Sequence, residues 1–167
     1  MTPTLEDEDD VAGPASLPAT VRVDDDRWQG VGPAELVDVV LTALSVCEAA
    51  PDGPASADVL FADDATLADL NSRFRGKDGA TNVLSFPSGE PSRPGERRFL
   101  GGIALAYETM EREARERGIP LAHHTTHLTL HGLLHLLGHD HEEEAGRERM
   151  ERLEIDLLAG LGIPNPY

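Results

Sequence analysis

All seven histidines of the chain fall between positions 123 and 141, at His123, His124, His127, His131, His135, His139 and His141. They sit in its most apolar helical stretch, where scattered core or surface histidines would not gather. The central pattern is His131-Gly132-Leu133-Leu134-His135-Leu136-Leu137-Gly138-His139-Asp140-His141. Residues four apart on a helix lie one above the other, so His131 and His135 can aim at one point. A third ligand further along the same helix would point away from that point. Gly138 can take a left-handed conformation and end the helix, after which the turned chain can bring His141 to the same ion from the far side.

Three neutral imidazoles leave a divalent ion doubly charged with a fourth position open, the makeup of a catalytic zinc site rather than a closed structural one. One Zn²⁺ is therefore expected on His131, His135 and His141, although imidazole also suits nickel, copper or cobalt. His123, His124, His127 and His139 lack this convergence and read as surface residues or as supports behind the ligands. Asp140 reads equally as a carboxylate orienting a ligand imidazole or as a cap of the helix that follows. The spacing matches the long zinc-protease signature except after the first histidine, where those enzymes place a glutamate as general base. Gly132 stands there instead, which argues against a peptidase. The residues by themselves describe a metal-dependent hydrolase.

The rest of the chain reads as a small α+β domain: one mixed four-stranded sheet packed by helices, with the metal site on a C-terminal helix and the following loop. Val21 and Val23 alternate as a first strand, and Pro33 opens a helix running to about Glu48. Val59-Leu60-Phe61-Ala62 forms a second strand, and Asp63 or Asp64 caps a helix whose Leu67, Leu70 and Phe74 share a face. Val83 to Phe86 forms a third strand, and residues 87–98, with three prolines and two glycines, an exposed loop. Ile103, Leu105 and Tyr107 alternate in a fourth strand, followed by a charged helix from Glu108 to Arg117. A helix over 121–137 and a last one from about Glu142 to Leu161 complete the domain, which spans 17–167. Residues 1–16 are acid-rich and almost without large apolar residues, and are expected to be a disordered tail.

Composition narrows the setting. A lone cysteine, Cys47, cannot form an internal disulfide and suits a reducing compartment; its apolar neighbours make it a small core residue. The basic start and apolar stretch of a secretion signal are not seen, and no run approaches a membrane span, so a soluble cytoplasmic protein is expected. The net charge of −17 opposes nucleic acid as a partner. Its distribution does not: residues 1–26 hold eight acids against Arg22 alone, whereas in 73–98 six cations (Arg73, Arg75, Lys77, Arg93, Arg97 and Arg98) meet only Asp78, Glu90 and Glu96. That segment is either a solvated surface or a basic rim beside an active site.

With these residues in view, the chain resembles the YbeY family of bacterial rRNA-maturation endoribonucleases. Three segments carry the resemblance: His131 to His141; Leu70-Asn71-Ser72-Arg73-Phe74-Arg75-Gly76-Lys77-Asp78 with Thr81-Asn82-Val83-Leu84-Ser85-Phe86-Pro87; and Leu100-Gly101-Gly102-Ile103-Ala104-Leu105-Ala106. The similarity spans about residues 20 to 163. It departs from the family at Gly102, where an acid is common, and at Asn82, where aspartate is common. The resemblance implies a single-strand-specific endoribonuclease acting in 16S rRNA 3′-end processing and ribosome quality control. Its partners would be single-stranded RNA or rRNA and the small ribosomal subunit or assembly factors, with no membrane. It also implies that Arg75 is needed for activity, beside His131 among the catalytic residues; a guanidinium near a metal can clamp a phosphate. Two rivals stand: a zinc peptidase-like hydrolase, and a non-catalytic ribosome-assembly factor with a structural metal.

Overall fold

The computed structural model describes residues 17–91, 93–140 and 142–167. The acidic segment 1–16 and the expected third ligand, His141, lie outside them.

The chain runs β1 (Ala19–Val23), α1 (Pro33–Ser45), β2 (Ala55–Ala62), α2 (Asp64–Arg75), β3 (Val83–Pro87), β4 (Arg98–Ala106), α3 (Tyr107–Arg117), α4 (Leu121–Leu136) and α5 (Glu144–Gly160). The four strands form one sheet in the order β1-β2-β4-β3. β1, β2 and β4 run parallel, and β3 returns antiparallel to β4, so the sheet is mixed as expected. Side chains alternate across each strand. One face carries Val59, Phe61, Ile103 and Leu105 into the main core with α1 and α4. The other carries Ala62, Leu84, Ala104 and Ala106 under Leu67 of α2.

Trp28 is fully buried in a short 3₁₀ turn (Asp26–Val31) ahead of α1. Its ring packs edge-on against Phe61 and Tyr107, each 5.2 Å away, and its indole N–H donates to Ala62 O at 2.7 Å. The burial of so large a ring, with its one polar atom satisfied, fixes the end of the sheet from which α2 and α3 spring.

Boundaries differ from the expectations where hydrogen bonds outweigh side-chain pattern. β2 begins at Ala55, ahead of its apolar run, because Ala55 and Ser56 pair with Arg98 and Phe99 of β4. Tyr107 opens α3 rather than ending β4: the Asp64 carboxylate accepts from the Thr109 amide and hydroxyl, while the Glu108 carboxylate accepts from Asp64 N at 2.7 Å. The two helix starts thus cap each other. α1 stops at Ser45, short of Glu48, and half-buried Cys47 packs against the core from the turn beyond it. Phe74 does not join Leu67 in the interior; it is 65% exposed and meets Phe86 edge-on. No helix among the described residues is long and apolar enough to cross a membrane.

Candidate metal centre

α4 is apolar nearly all round because it is enclosed nearly all round. Its sheet side fits closely: a Cβ on Gly132 would meet Ile103 Cγ2 at 3.0 Å and Ser85 Oγ at 3.4 Å. Glycine at this position therefore lets the helix lie against β3 and β4, and the Ser85 hydroxyl donates to Gly132 O at 3.3 Å. With Gly132 turned into the sheet, the neighbouring His131 turns away from it, toward α5.

Along that side the rings of His124, His127, His131 and His135 succeed one another, with centroids 6.5, 6.3 and 4.6 Å apart. The Nε2 atoms of His131 and His135 face each other at 3.1 Å. Two nitrogens bound to one zinc ion at about 2.0–2.1 Å with tetrahedral angles lie roughly 3.3 Å apart, so this pair fits a shared cation. The helix ends as the sequence implied. Gly138 has φ +94°, Gly138 N donates to His135 O and His139 N to Leu134 O, each at 3.0 Å, and the chain turns back toward α5.

Glu154 of α5 holds the opposite edge of His131. It is fully buried, and its Oε1 accepts from His131 Nδ1 in a short hydrogen bond. Its Oε2 lies 3.5 Å from His127 Nε2 and accepts from the Tyr167 hydroxyl. Burial alone would raise the Glu154 pKa, but the hydrogen bonds from His127, His131 and Tyr167 outweigh it and bring it down to about 2. The acceptor is thus an ionised carboxylate, which takes a hydrogen bond from His131 Nδ1–H and leaves Nε2 as the nitrogen that faces His135. His127, His131 and Glu154 bring one potential ligand atom each within 4.8 Å of one another. Glu154 Oε1 and His131 Nδ1 are in direct contact, so at that edge the cluster closes on a hydrogen bond, while His131 Nε2 faces His135.

The sequence did not single out Glu154. Its signal was an acid among Met150, Leu153 and Leu158 on the buried face of an otherwise polar helix. Two histidines expected at the surface or behind the ligands are deeply buried: His124 is 2% and His127 6% exposed. His127 touches Glu154. His124 Nε2 lies 2.8 Å from Glu113 Oε2 on α3, and burial, offset in part by Glu113, lowers its pKa and keeps the ring neutral. The same Glu113 accepts from Asn82 Nδ2 at 3.1 Å, while Asn82 Oδ1 accepts from Val83 N. An aspartate at 82 would set two carboxylates against each other, so the amide matches Glu113.

Asp140 is exposed just past the turn, against Gly146, and the cap position of α5 is occupied by Glu143. Arg75, the last residue of α2, donates from Nη2 to Ser85 O at 2.7 Å on the outer strand β3. Ser85 in turn bonds Gly132, so Arg75 stands two hydrogen bonds from the residue beside His131.

The profile of the family described as Endoribonuclease YbeY matches residues 24–162. The chain belongs to the YbeY family. The Endoribonuclease YbeY of Chelativorans sp. (strain BNC1) is 51% identical over 162 residues, covering 94% of this chain and 99% of that one. The Endoribonuclease YbeY of Bradyrhizobium sp. (strain BTAi1 / ATCC BAA-1182) is 47% identical over 159 residues, covering 90% and 93%. The solution structure of TM1509 from Thermotoga maritima shares the fold, with a TM-score of 0.52 at 21% identity over 86% of this chain and 91% of that one. The YbeY match takes in α4, the turn at Gly138 and Glu154, and stops short of Tyr167.

Proposed function

We propose that this chain is a metal-dependent, single-strand-specific endoribonuclease that acts in 16S rRNA 3′-end maturation and ribosome quality control, in the cytoplasm, on the small ribosomal subunit or its precursors. Membership of the YbeY family supports endonucleolytic cleavage of RNA. The observation that carries the metal dependence is the approach of His131 and His135 through their Nε2 atoms, with Glu154 holding the proton on the far nitrogen of His131. His131, His135 and His141 would hold one Zn²⁺, or another divalent transition ion, with residues 17–167 as the catalytic domain. Such an ion supplies Lewis-acid stabilisation of a phosphoryl oxygen.

The chain's own contributions follow from where its residues stand. Glu154 keeps the His131 ring in one tautomer and orientation. Gly132 sets the depth of α4 on the sheet and so the position of both imidazoles. Arg75 offers a delocalised charge at the β3 edge, where it can pair with a backbone phosphate and offset charge developing on it. His131 and Arg75 are the catalytic residues of this reading. The peptidase reading loses its base twice over: Gly132 has no side chain, and a longer one would run into Ile103 rather than toward the imidazoles.

The test is cleavage of a single-stranded RNA carrying the 16S 3′ region, beside the same sequence as a duplex, with and without chelation, in wild type and His135→Ala. Single-strand cuts that require metal and vanish in the variant are expected. Peptide cleavage lost in His135→Ala while RNA stays intact would overturn the assignment. So would chelation that unfolds the domain in a protein that never cuts RNA.

A further inference from the structure

Glu154 has two oxygens in a fully buried place, and only one of them is well served by histidine. Oε1 takes the short bond from His131, while His127 reaches Oε2 only at 3.5 Å. A buried ionised oxygen needs a stronger donor than that. The donor is the hydroxyl of Tyr167.

The chain is built to deliver it. α5 is closed by Ile163 N donating to Leu158 O at 2.9 Å, and Ile163 packs on the core. Pro164 and Pro166 then exclude a further helical turn and stiffen the segment. Asn165 Oδ1 accepts from Tyr167 N at 2.8 Å, fixing the direction in which the ring leaves the backbone. The residue is 58% exposed overall, yet its hydroxyl end reaches a carboxylate with no exposure at all. Its ring edge rests on His127, 5.6 Å between centroids at 84°. Burial and the neighbouring Glu154 charge push the phenol's pKa up, so the hydroxyl stays a donor.

We propose that Tyr167 is a positioning residue of the metal centre: its hydroxyl anchors Glu154 Oε2 so that Oε1 holds His131 Nδ1, and with it the aim of His131 Nε2. This rests on the metal assignment made above. Without the hydroxyl, the carboxylate is free to rotate toward His127, and the His131 ring loses its fixed tautomer and direction. Partners at this remove from an ion tune affinity rather than create it.

Tyr167→Phe removes one oxygen and keeps the ring on His127. The experiment is Zn²⁺ affinity by chelator competition in wild type, Tyr167→Phe and His131→Ala, with NMR of the His131 Nδ1–H proton in the metal-free protein. Tyr167→Phe is expected to weaken Zn²⁺ binding by about 3–10-fold, less than the loss of a direct partner of the ligand. The Nδ1–H resonance should move, and the thermal midpoint of the metal-free protein should fall, because Glu154 Oε2 loses its donor. Affinity within about twofold of wild type, or a resonance that does not move, overturns the proposal. If His131→Ala binds Zn²⁺ as tightly as wild type, the metal assignment itself falls, and that outcome is distinct from an inert Tyr167→Phe.

Discussion

Glu154 is a carboxylate whose charge the folded state needs. Its pKa lies near 2 against an ordinary 4.5, so the unfolded chain takes up its proton first as pH falls. A depressed folded pKa contributes stability that is present above the unfolded value and lost as pH drops through the folded one, here between about 4.5 and 2. The full displacement is on the order of 3 kcal/mol. In metal-free protein, urea unfolding should therefore show Glu154→Gln less stable than wild type at pH 6, with the gap closing across that acid window. A constant gap would mean that packing, not charge, is lost. Two neighbouring glycines make a sharper contrast. Gly101 has φ +131°, and a Cβ there would stand 2.1 Å from Phe86 O; at Gly102 the nearest atom would be Asp58 O at 3.7 Å. Gly101→Ala is expected to cost at least about 3 kcal/mol in thermal or urea unfolding, and Gly102→Ala less than about 1 kcal/mol. The departure at Gly102 thus leaves room for a side chain, whereas Gly101 has none.

At the scale of elements, α4 is the part that had to be placed accurately, and three devices place it. Gly132 allows close approach to the sheet, Glu113 of α3 holds His124, and the turn at Gly138 ends the helix one residue row past His135. Gly132→Ala pushes a methyl to 3.0 Å from Ile103 Cγ2, so either the helix or the isoleucine must give by a few tenths of an ångström. A loss of about 1–3 kcal/mol is expected in thermal unfolding, with weaker RNA cleavage because both imidazoles ride on the displaced helix. Stability equal to wild type would mean that the sheet yields freely there. Most elements were legible from periodicity, because a strand with one buried face and a helix with one buried stripe must display periods of 2 and 3.6. The misplaced ends have a common cause. The start of β2 and the switch from β4 to α3 at Tyr107 are set by ladder bonds and by the Asp64 and Glu108 carboxylates of distant segments, which leave no local pattern.

For the whole molecule the question is how a chain of net charge −17 engages a polyanion. Electrostatics of this kind is local, since screening in physiological salt confines it to about 8 Å. What matters is the local balance, and residues 73–98 hold six cations against three acids, with Arg75 on the Ser85 carbonyl. Arg75→Ala should weaken RNA cleavage about 10-fold or more while the zinc content of the purified protein stays at the wild-type level; elemental analysis beside the cleavage assay checks both. Loss of metal in that variant would show that Arg75 supports the imidazoles instead. If Arg75 pairs with a backbone phosphate as proposed, raising salt from about 50 to 200 mM should weaken RNA binding in wild type more steeply than in Arg75→Ala, and equal slopes would overturn that role.

The amino-acid sequence by itself determined the helix that carries His131 and His135, its end at Gly138, and the α+β sheet beneath it. These are local consequences of spacing, of one glycine's conformational freedom and of alternating side chains. Only the tertiary structure decided that Gly132 is a packing residue, that His124 and His127 are buried, and that Glu154 and Tyr167 stand behind His131. Those facts arise where the sheet, α3, α5 and the segment after it close on α4, bringing together residues up to 47 positions apart whose meeting depends on the packing of whole elements rather than on the letters around them.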